Sequence, residues 1–219
     1  SVLAGVAIIV AALLSTCSAA TTRKWTVVKN GKAAAEIVVA KDAPAPITIA
    51  AKDLQAYVKR MSGATLPIGT KPIASSRTRI VIADGGASKG VSPETTVIVT
   101  DSEGKTPVVR LTGGSAVGAM YATYRFIEFL GVRFFHPEQE YVPTRKEISV
   151  GRLQIKESPV YKWRGIQQHT LHPIPATKFL LENNKPEDLQ RAYRYVDWLA
   201  RNRQNYLFWW WVERVRPQD

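Results

Sequence analysis

The residues best suited to chemistry sit together near the C-terminal third of the chain, in the stretch 161–173, YKWRGIQQHTLHP. Arg164 brings a planar guanidinium, a fixed fork of donors that fits vicinal oxygens or a carboxylate. The same fork equally well ties down loop carbonyls, so a structural role stands beside a substrate-binding one. His169 and His172 follow at His-x-x-His spacing. Two imidazoles can start a zinc site, but a third ligand is needed and His136 is the only other histidine. No metal is expected; contact with a hydroxylated substrate, or a structural role, fits these histidines better. Farther on, 205–212 reads NYLFWWWV. In a strand Trp209 and Trp211 point one way and Trp210 the other, so they cannot share a face. Most of this is packing, with Trp211 near the strand end placed to offer an aromatic face to a ligand. Glu213 and Asp219 are the acids beyond it. Glu213 directly follows the strand and can face a site, although a solvated loop charge is the commoner outcome.

These residues need elements to hold them. The stretch 161–170 reads as a strand. The stretch 186–203 reads as a helix, with Glu187 and Asp188 in its first turn and Arg201 and Arg203 in its last, signs that complement the helix dipole. Leu189, Ala192, Tyr193, Val196, Leu199 and Ala200 recur at helical spacing and form its expected apolar stripe. With 205–212 as a second apolar strand, the result is a β-α-β unit whose sheet is buried on both faces. That is the first turn of a (β/α)8 barrel, in which sites form at the C-terminal ends of the strands.

Upstream, 113–137 reads GGSAVGAMYATYRFIEFLGVRFFHP. Ser115 is an N-cap. Val117, Met120, Tyr121, Tyr124, Ile127 and Leu130 make one apolar stripe, and Gly131 sits where a left-handed residue ends a helix. A short strand over 132–135 stops at Pro137. Gly113, Gly114 and Gly118 imply close approach of another backbone. An earlier helix carries Ile47, Ala50, Ala51, Leu54, Tyr57, Val58 and Met61 on one face and ends at Gly63. Strands are expected at 25–28 and 36–40, joined through an Asn30-Gly31 hairpin turn, and at 79–83, 96–100 and 108–112. Short extended pieces follow near Tyr141 and Ile148, and 155–159 reads as a boundary. Asp84-Gly85-Gly86 is no phosphate loop, because no helix opening on Lys-Ser/Thr follows it.

The 219-residue chain carries a net charge of +12. The excess is spread: 20 Lys and Arg against 12 Asp and Glu up to Ser158, and 10 against 6 after it. No concentrated basic run or aromatic-basic motif appears, so nucleic acid is not an expected partner. Residues 2–14 form an apolar run too short to span a bilayer as an ordinary helix and of the length of a signal-peptide core. Ser18-x-Ala20 suits signal peptidase. Leu14-Ser15-Thr16-Cys17 resembles a lipobox apart from Thr16, and Cys17 is the only cysteine. Either way the protein is expected to be exported, periplasmic, outer-membrane or secreted, with membrane attachment only through a lipid on Cys17. Both ends read as cut from a longer chain.

Three strings carry a family resemblance. They are the G-x-x-x-G…Y-A-x-Y…L-G-V-R-F-F-x-P helix and strand at 114–137, the Y-x-x-x-x-S-G-A-T-L-P-I run at 57–68, and Ser158-Pro159…Arg164-Gly165 followed by Ala200-Arg201…Asn205. Together they resemble the small α/β domain and barrel opening of α-glucuronidase-like glycoside hydrolases, and more distantly of family 20 β-hexosaminidases. The resemblance implies an α/β chain in three parts. Residues 1–20 are a leader. Residues 21–157 form a small α+β domain with a mixed sheet and two helices on one face. Residues 158–219 are the first β-α-β of a (β/α)8 barrel. It implies a carbohydrate substrate, no cofactor, an Arg164 matching the arginine that holds sugar hydroxyls in family 20 enzymes, and catalytic acids on strands after Asp219. A non-catalytic carbohydrate-binding or structural module is the competing expectation.

Overall fold

The computed structural model describes residues 23–73, 77–86, 91–168, 179–180 and 185–209. In chain order its elements are β1 (Trp25–Lys29), β2 (Lys32–Ala33), β3 (Ala35–Val38), α1 (Ala45–Ser62) and β4 (Ile68–Gly69). Next come β5 (Thr78–Asp84), β6 (Thr96–Glu103), β7 (Thr106–Gly113), α2 (Ala116–Phe129), β8 (Arg133–His136) and β9 (Gln139–Tyr141). The last are β10 (Ile148–Val150), β11 (Gln154–Glu157), β12 (Gly165–Gln168), α3 (Pro186–Arg201) and β13 (Tyr206–Trp209). The fold is a mixed α/β arrangement, as the sequence implies. Among the described residues no helix is long and apolar enough to cross a membrane.

The main sheet runs β11-β6-β7-β5-β3-β4. β3, β4, β5 and β7 are mutually parallel; β6 runs antiparallel beside β7, and β11 pairs antiparallel with β6 at the sheet edge. Along β5, Thr78, Ile80 and Ile82 are buried while Arg79, Val81 and Ala83 are half-buried, the period-two alternation of a sheet with one face in the core. Helices α1 and α2 pack on each other and cover that face. All seven α1 residues expected inside are buried, and Gly63 closes the helix at φ 80, its N–H bonding Lys59 O. This apolar layer, with Ile37, Leu54, Val58, Ile80, Ile98, Leu111, Phe126 and Ile127 at 0% exposure apart from a few near-zero neighbours, is the main core. Burying one such side chain fully is worth about 1.5–3 kcal/mol.

One strand expectation needs correction here. The Asn30-Gly31 turn forms, with φ of 51 and 70 at the two residues as a type I′ turn demands. The hairpin's second arm, however, ends at Ala33 instead of continuing through 36–40. Ala34 switches sheets: its N–H bonds Val27 O at 3.0 Å, and its carbonyl accepts from Thr78 N at 3.0 Å. Strand β11 pairs with β6 from Gln154↔Val99 to Glu157↔Thr96, so the first part of the expected 155–159 boundary segment is the last strand of the main sheet.

Helix α2 begins as expected, with Ser115 Oγ accepting from Gly118 N at 3.3 Å and donating to Pro93 O at 2.8 Å. A Cβ on Gly118 would sit 2.6 Å from Thr95 O, so the helix start lies against the 93–95 backbone. It does not bury a single stripe. Ala119, Tyr121, Ala122, Thr123, Tyr124, Phe126 and Ile127 are all buried, while Val117 and Met120 are only half-buried. The sheet and α1 occupy one side of α2, and α3 contacts it from another.

β12 and β13 pair in parallel, Gly165↔Tyr206 through Gln168↔Trp209, with α3 as the crossover. A Cβ on Gly165 would collide with the Tyr206 backbone, which explains a glycine after Arg164. The α3 stripe is rotated from its expected position. Tyr195 and Leu199 are buried with Phe179 and Leu180, while Leu189, Tyr193 and Val196 are 38%, 55% and 52% exposed. The large rings of Tyr195 and Trp198 set the inward face, because they reach Phe179 and the β8 backbone and the smaller aliphatics do not.

Candidate functional site

Arg164 sits just before β12 and all three nitrogens of its fork are engaged. Nε and Nη2 donate to Arg203 O at 3.1 and 2.9 Å, Nη1 donates to Tyr161 O at 2.8 Å, and Nη2 also pairs with Glu94 Oε2 at 2.8 Å. Two fixed donors on one carbonyl hold Arg203 at φ 58, a left-handed conformation costly for a side chain with a Cβ. Asn205 completes the corner. Its Oδ1 accepts from Arg164 N at 2.9 Å, and its Nδ2 donates to Glu94 Oε1 at 2.9 Å and Lys162 O at 2.8 Å. As placed, Arg164 clamps the start of the parallel strand pair. Four of its five N–H donors are thus spent on the protein itself, which leaves at most one for a ligand.

His169, His172 and Trp211, together with Cys17, Glu213 and Asp219, lie outside the described residues. Among the described residues no group of three His, Cys, Asp or Glu side chains is arranged to hold a metal ion.

A second constellation, which the sequence reading did not single out, lies where α3 meets the first unit. A cleft of about 670 Å³ is lined there by Asp53, Tyr57 and Arg60 of α1, Glu138 and Glu140 around β9, and Arg194, Asp197 and Arg201 of α3. Arg201 is the hub. Its Nη1 reaches Glu140 Oε1 at 3.1 Å, and its Nη2 lies 3.3 Å from Asp53 Oδ2 and 3.9 Å from Asp197 Oδ2. Tyr57 OH donates to Glu140 Oε1 at 2.5 Å, and Tyr124 OH to Asp53 Oδ2 at 3.1 Å. Two guanidinium groups lie against the Tyr57 ring, Arg60 at 5.0 Å and Arg201 at 5.6 Å from its centre.

Charge states follow from these partners. Burial pushes the Glu140 carboxyl up, but hydrogen bonds from Tyr57 and Arg60 and the charges of Arg201 and Arg60 outweigh it and hold its pKa below the ordinary value. Asp197 goes the other way: burial raises it, and the Asp53 charge adds to this against the pull of Arg201. Burial, with Glu140 and Asp53 adding to it respectively, raises Tyr57 and Tyr124 well above the usual phenol range, so both stay protonated donors. A carboxylate held ionised beside a guanidinium makes a poor proton donor. This cleft is therefore built to bind the two units together, and its chemistry is that of an ionic lock.

The lock continues along the whole contact. Arg203 Nη1 meets Glu128 Oε2 at 2.7 Å, Arg191 Nε meets Glu138 Oε1 at 2.7 Å, and Arg164 meets Glu94. In each pair the arginine belongs to the segment after Ser158 and the carboxylate to the segment before it. Trp198 Nε1 and Asn202 Nδ2 add donors to Phe134 O at 3.0 and 3.2 Å. The sequence carries one hint of this, arginines at the end of α3, but their local meaning is dipole complementarity, since Asp53 lies 148 residues away.

No protein-family model matches the sequence, and no match was found among curated proteins. Solved structures do match. A family GH115 4-O-methyl-α-glucuronidase, BtGH115A, with specificity for decorated arabinogalactans, superposes with a TM-score of 0.60 at 18% identity over 84% of this chain. A GH138 enzyme targeting pectin rhamnogalacturonan II gives 0.53 at 18% identity over 80%. A mutant β-hexosaminidase of Streptomyces plicatus gives 0.50 at 15% identity over 85%. The chain spans only 26%, 24% and 31% of those chains respectively. At these identities the likeness establishes the fold alone: a mixed α/β module followed by a parallel β-α-β unit, arranged as in part of each of these enzymes.

Proposed function

We propose that the chain is the N-terminal module and barrel opening of an exported glycoside hydrolase, α-glucuronidase-like, acting on uronic-acid-bearing oligosaccharide or polysaccharide. One observation carries the reading. A mixed-sheet module is locked onto a parallel β-α-β unit, and the two together superpose on parts of glycoside hydrolases over at least four fifths of the chain. Hydrolysis of a glycosidic bond takes two carboxyl groups, one protonated and one ionised, across the scissile bond. In a barrel they stand at C-terminal strand ends. The C-terminal ends of β12 and β13 lead into 169–178 and 210–219, which carry His169, His172, Trp211 and Glu213. In this proposal the two histidines and Trp211 contact sugar, the catalytic acids come from later strands, and Arg164 fixes the first strand. Export, by signal peptidase cleavage or by lipidation at Cys17, belongs to the same proposal.

The test is hydrolysis. The full-length protein, offered an aryl α-glucuronide and a uronic-acid-bearing polysaccharide, is expected to release free uronic acid, and purified 21–219 is expected to release none. A full-length protein that cleaves no glycoside overturns the reading. Turnover by 21–219 alone overturns the placement of the acids on later strands.

A further inference from the structure

A second groove, of about 500 Å³, lies between the 92–94 turn and the 159–163 segment. Its volume falls within the roughly 300–1,000 Å³ of small-molecule sites. One wall is Trp163, 64% exposed, tilted 55° against Tyr206 with ring centres 5.9 Å apart. Pro93 and Pro159 face it as rigid apolar surfaces. The polar groups are Glu94, Asn205 and Lys162, whose ammonium stands 5.2 Å from the Trp163 ring centre.

We propose that this groove is a carbohydrate-binding subsite for a pyranose oligosaccharide, set apart from the face where the strands end. The ring supplies a flat surface for sugar C–H groups. Glu94 supplies the acceptor. Arg164 and Asn205 hold its carboxylate fixed and occupy one site on each oxygen, out of about four lone-pair sites in all. The remaining sites suit a pair of vicinal hydroxyls, with no side chain to be ordered on binding. Lys162 on its flexible stem can leave the ring to meet an acidic substituent. Position separates this groove from catalysis. Trp163 precedes β12 and Asn205 precedes β13, so it lies at the N-terminal end of the parallel pair, whereas barrel chemistry occurs at the other end. The larger cleft at Arg201 has no equivalent surface, because two guanidinium groups and Phe134 already pack against its Tyr57 ring.

The ligand class rests on the glycoside-hydrolase reading, and the experiment separates the two. The full-length protein, its Trp163→Ala variant and its Lys162→Ala variant are titrated calorimetrically with xylopentaose and with xylopentaose carrying one glucuronic acid. Aryl-glycoside turnover and circular dichroism are recorded alongside. Trp163→Ala is expected to weaken both probes about tenfold. Lys162→Ala is expected to weaken only the acidic probe, about two- to fivefold, and neither changes turnover. Unchanged affinities in Trp163→Ala, or no binding of either probe by the unaltered protein, overturn the subsite whatever the turnover. A lowered Tm in Trp163→Ala without any sugar binding also overturns it, and assigns the ring to a further segment of the chain packed on it. Binding that depends on Trp163 in a protein that cleaves no glycoside retains the subsite and removes the hydrolase reading.

Discussion

The two contacts that organise this molecule are made of opposite materials. Between the main sheet and helices α1 and α2 the interface is apolar and closed: Ile37, Leu54, Ile80 and Leu111 are each 0% exposed. Between that unit and β12–α3–β13 it is mostly ionic and partly wet, with Arg201 and Glu140 each 17% exposed and Arg203 30%. The first kind of contact depends on area and shape and tolerates salt. The second depends on charge state and geometry, gains little net energy after desolvation, and is costly to leave half-made. A joint of the second kind fixes register between two parts that each carry their own apolar cluster.

The largest expected effect belongs to the apolar side. Leu54→Ala opens a cavity between α1 and the sheet and is expected to cost about 2–5 kcal/mol. Chemical denaturation at low and high salt checks it, and the loss should be the same in both. A loss that grows or shrinks with salt would break the distinction between the two contacts.

This contrast also decides what could be read from the sequence. The α1 face was legible to the residue, because a local 3.6-residue period with a glycine stop reports burial directly. The Ser115 cap and the close approach at Gly118 were legible for the same local reason. The α3 face was not. Two stripes compete on that helix, and the rings of Tyr195 and Trp198 win through partners in β8 and around Phe179 that no local window contains. Of the candidate site residues, Arg164 lies in the described structure and its corner depends on Glu94 and Asn205, 70 and 41 residues away. The Arg201 lock was invisible because an ion pair leaves no period in sequence. The switch at Ala34 failed for a related reason: β1 and β3 have similar composition, and only the pairing with Thr78 shows which sheet each joins.

On the ionic side, Arg201→Met keeps the stem and removes the charge, leaving Asp53 and Glu140 facing each other near the Tyr57 ring. The expected cost is about 2–3 kcal/mol, below a fully buried pair because the cleft is open. Hydrogen exchange should show α3 losing protection while α1 keeps its own. Adding Glu140→Gln should recover part of the loss, since one orphaned charge is gone. Equal loss of protection in both helices would make the molecule one cooperative unit and remove the comparison.

Arg164→Lys is smaller, about 1–2 kcal/mol. Lysine keeps the charge for Glu94 but cannot place two donors on the Arg203 carbonyl while reaching Tyr161. Exchange should rise at 203–206 and the Glu94 pair should persist. If the variant is as stable as the parent, the left-handed turn at Arg203 needs no clamp.

The smallest effect carries a sign that tests the charge assignment. Asp197 is the lock's mismatched member: 57% exposed, 3.9 Å from Arg201, with its pKa raised by burial and by Asp53. A raised carboxyl pKa means the fold disfavours the charged form. Above the folded pKa the group therefore destabilises, and below the unfolded value of about 3.9 it is protonated in both states and the penalty is gone. Asp197→Asn is expected to raise stability at pH 7 by less than about 0.5 kcal/mol, or about 1–2 °C in Tm, and to change nothing at pH 3. Glu140 has the opposite sign. Its depressed pKa contributes stability that is present above about pH 4.3 and lost as pH falls through the folded value, so Glu140→Gln should cost stability at pH 7 and little in acid. Thermal melts of the two variants across pH should thus converge on the parent from opposite sides. If Asp197→Asn instead lowers Tm at pH 7, attraction to Arg201 exceeds the burial penalty, and the lock has no mismatched member.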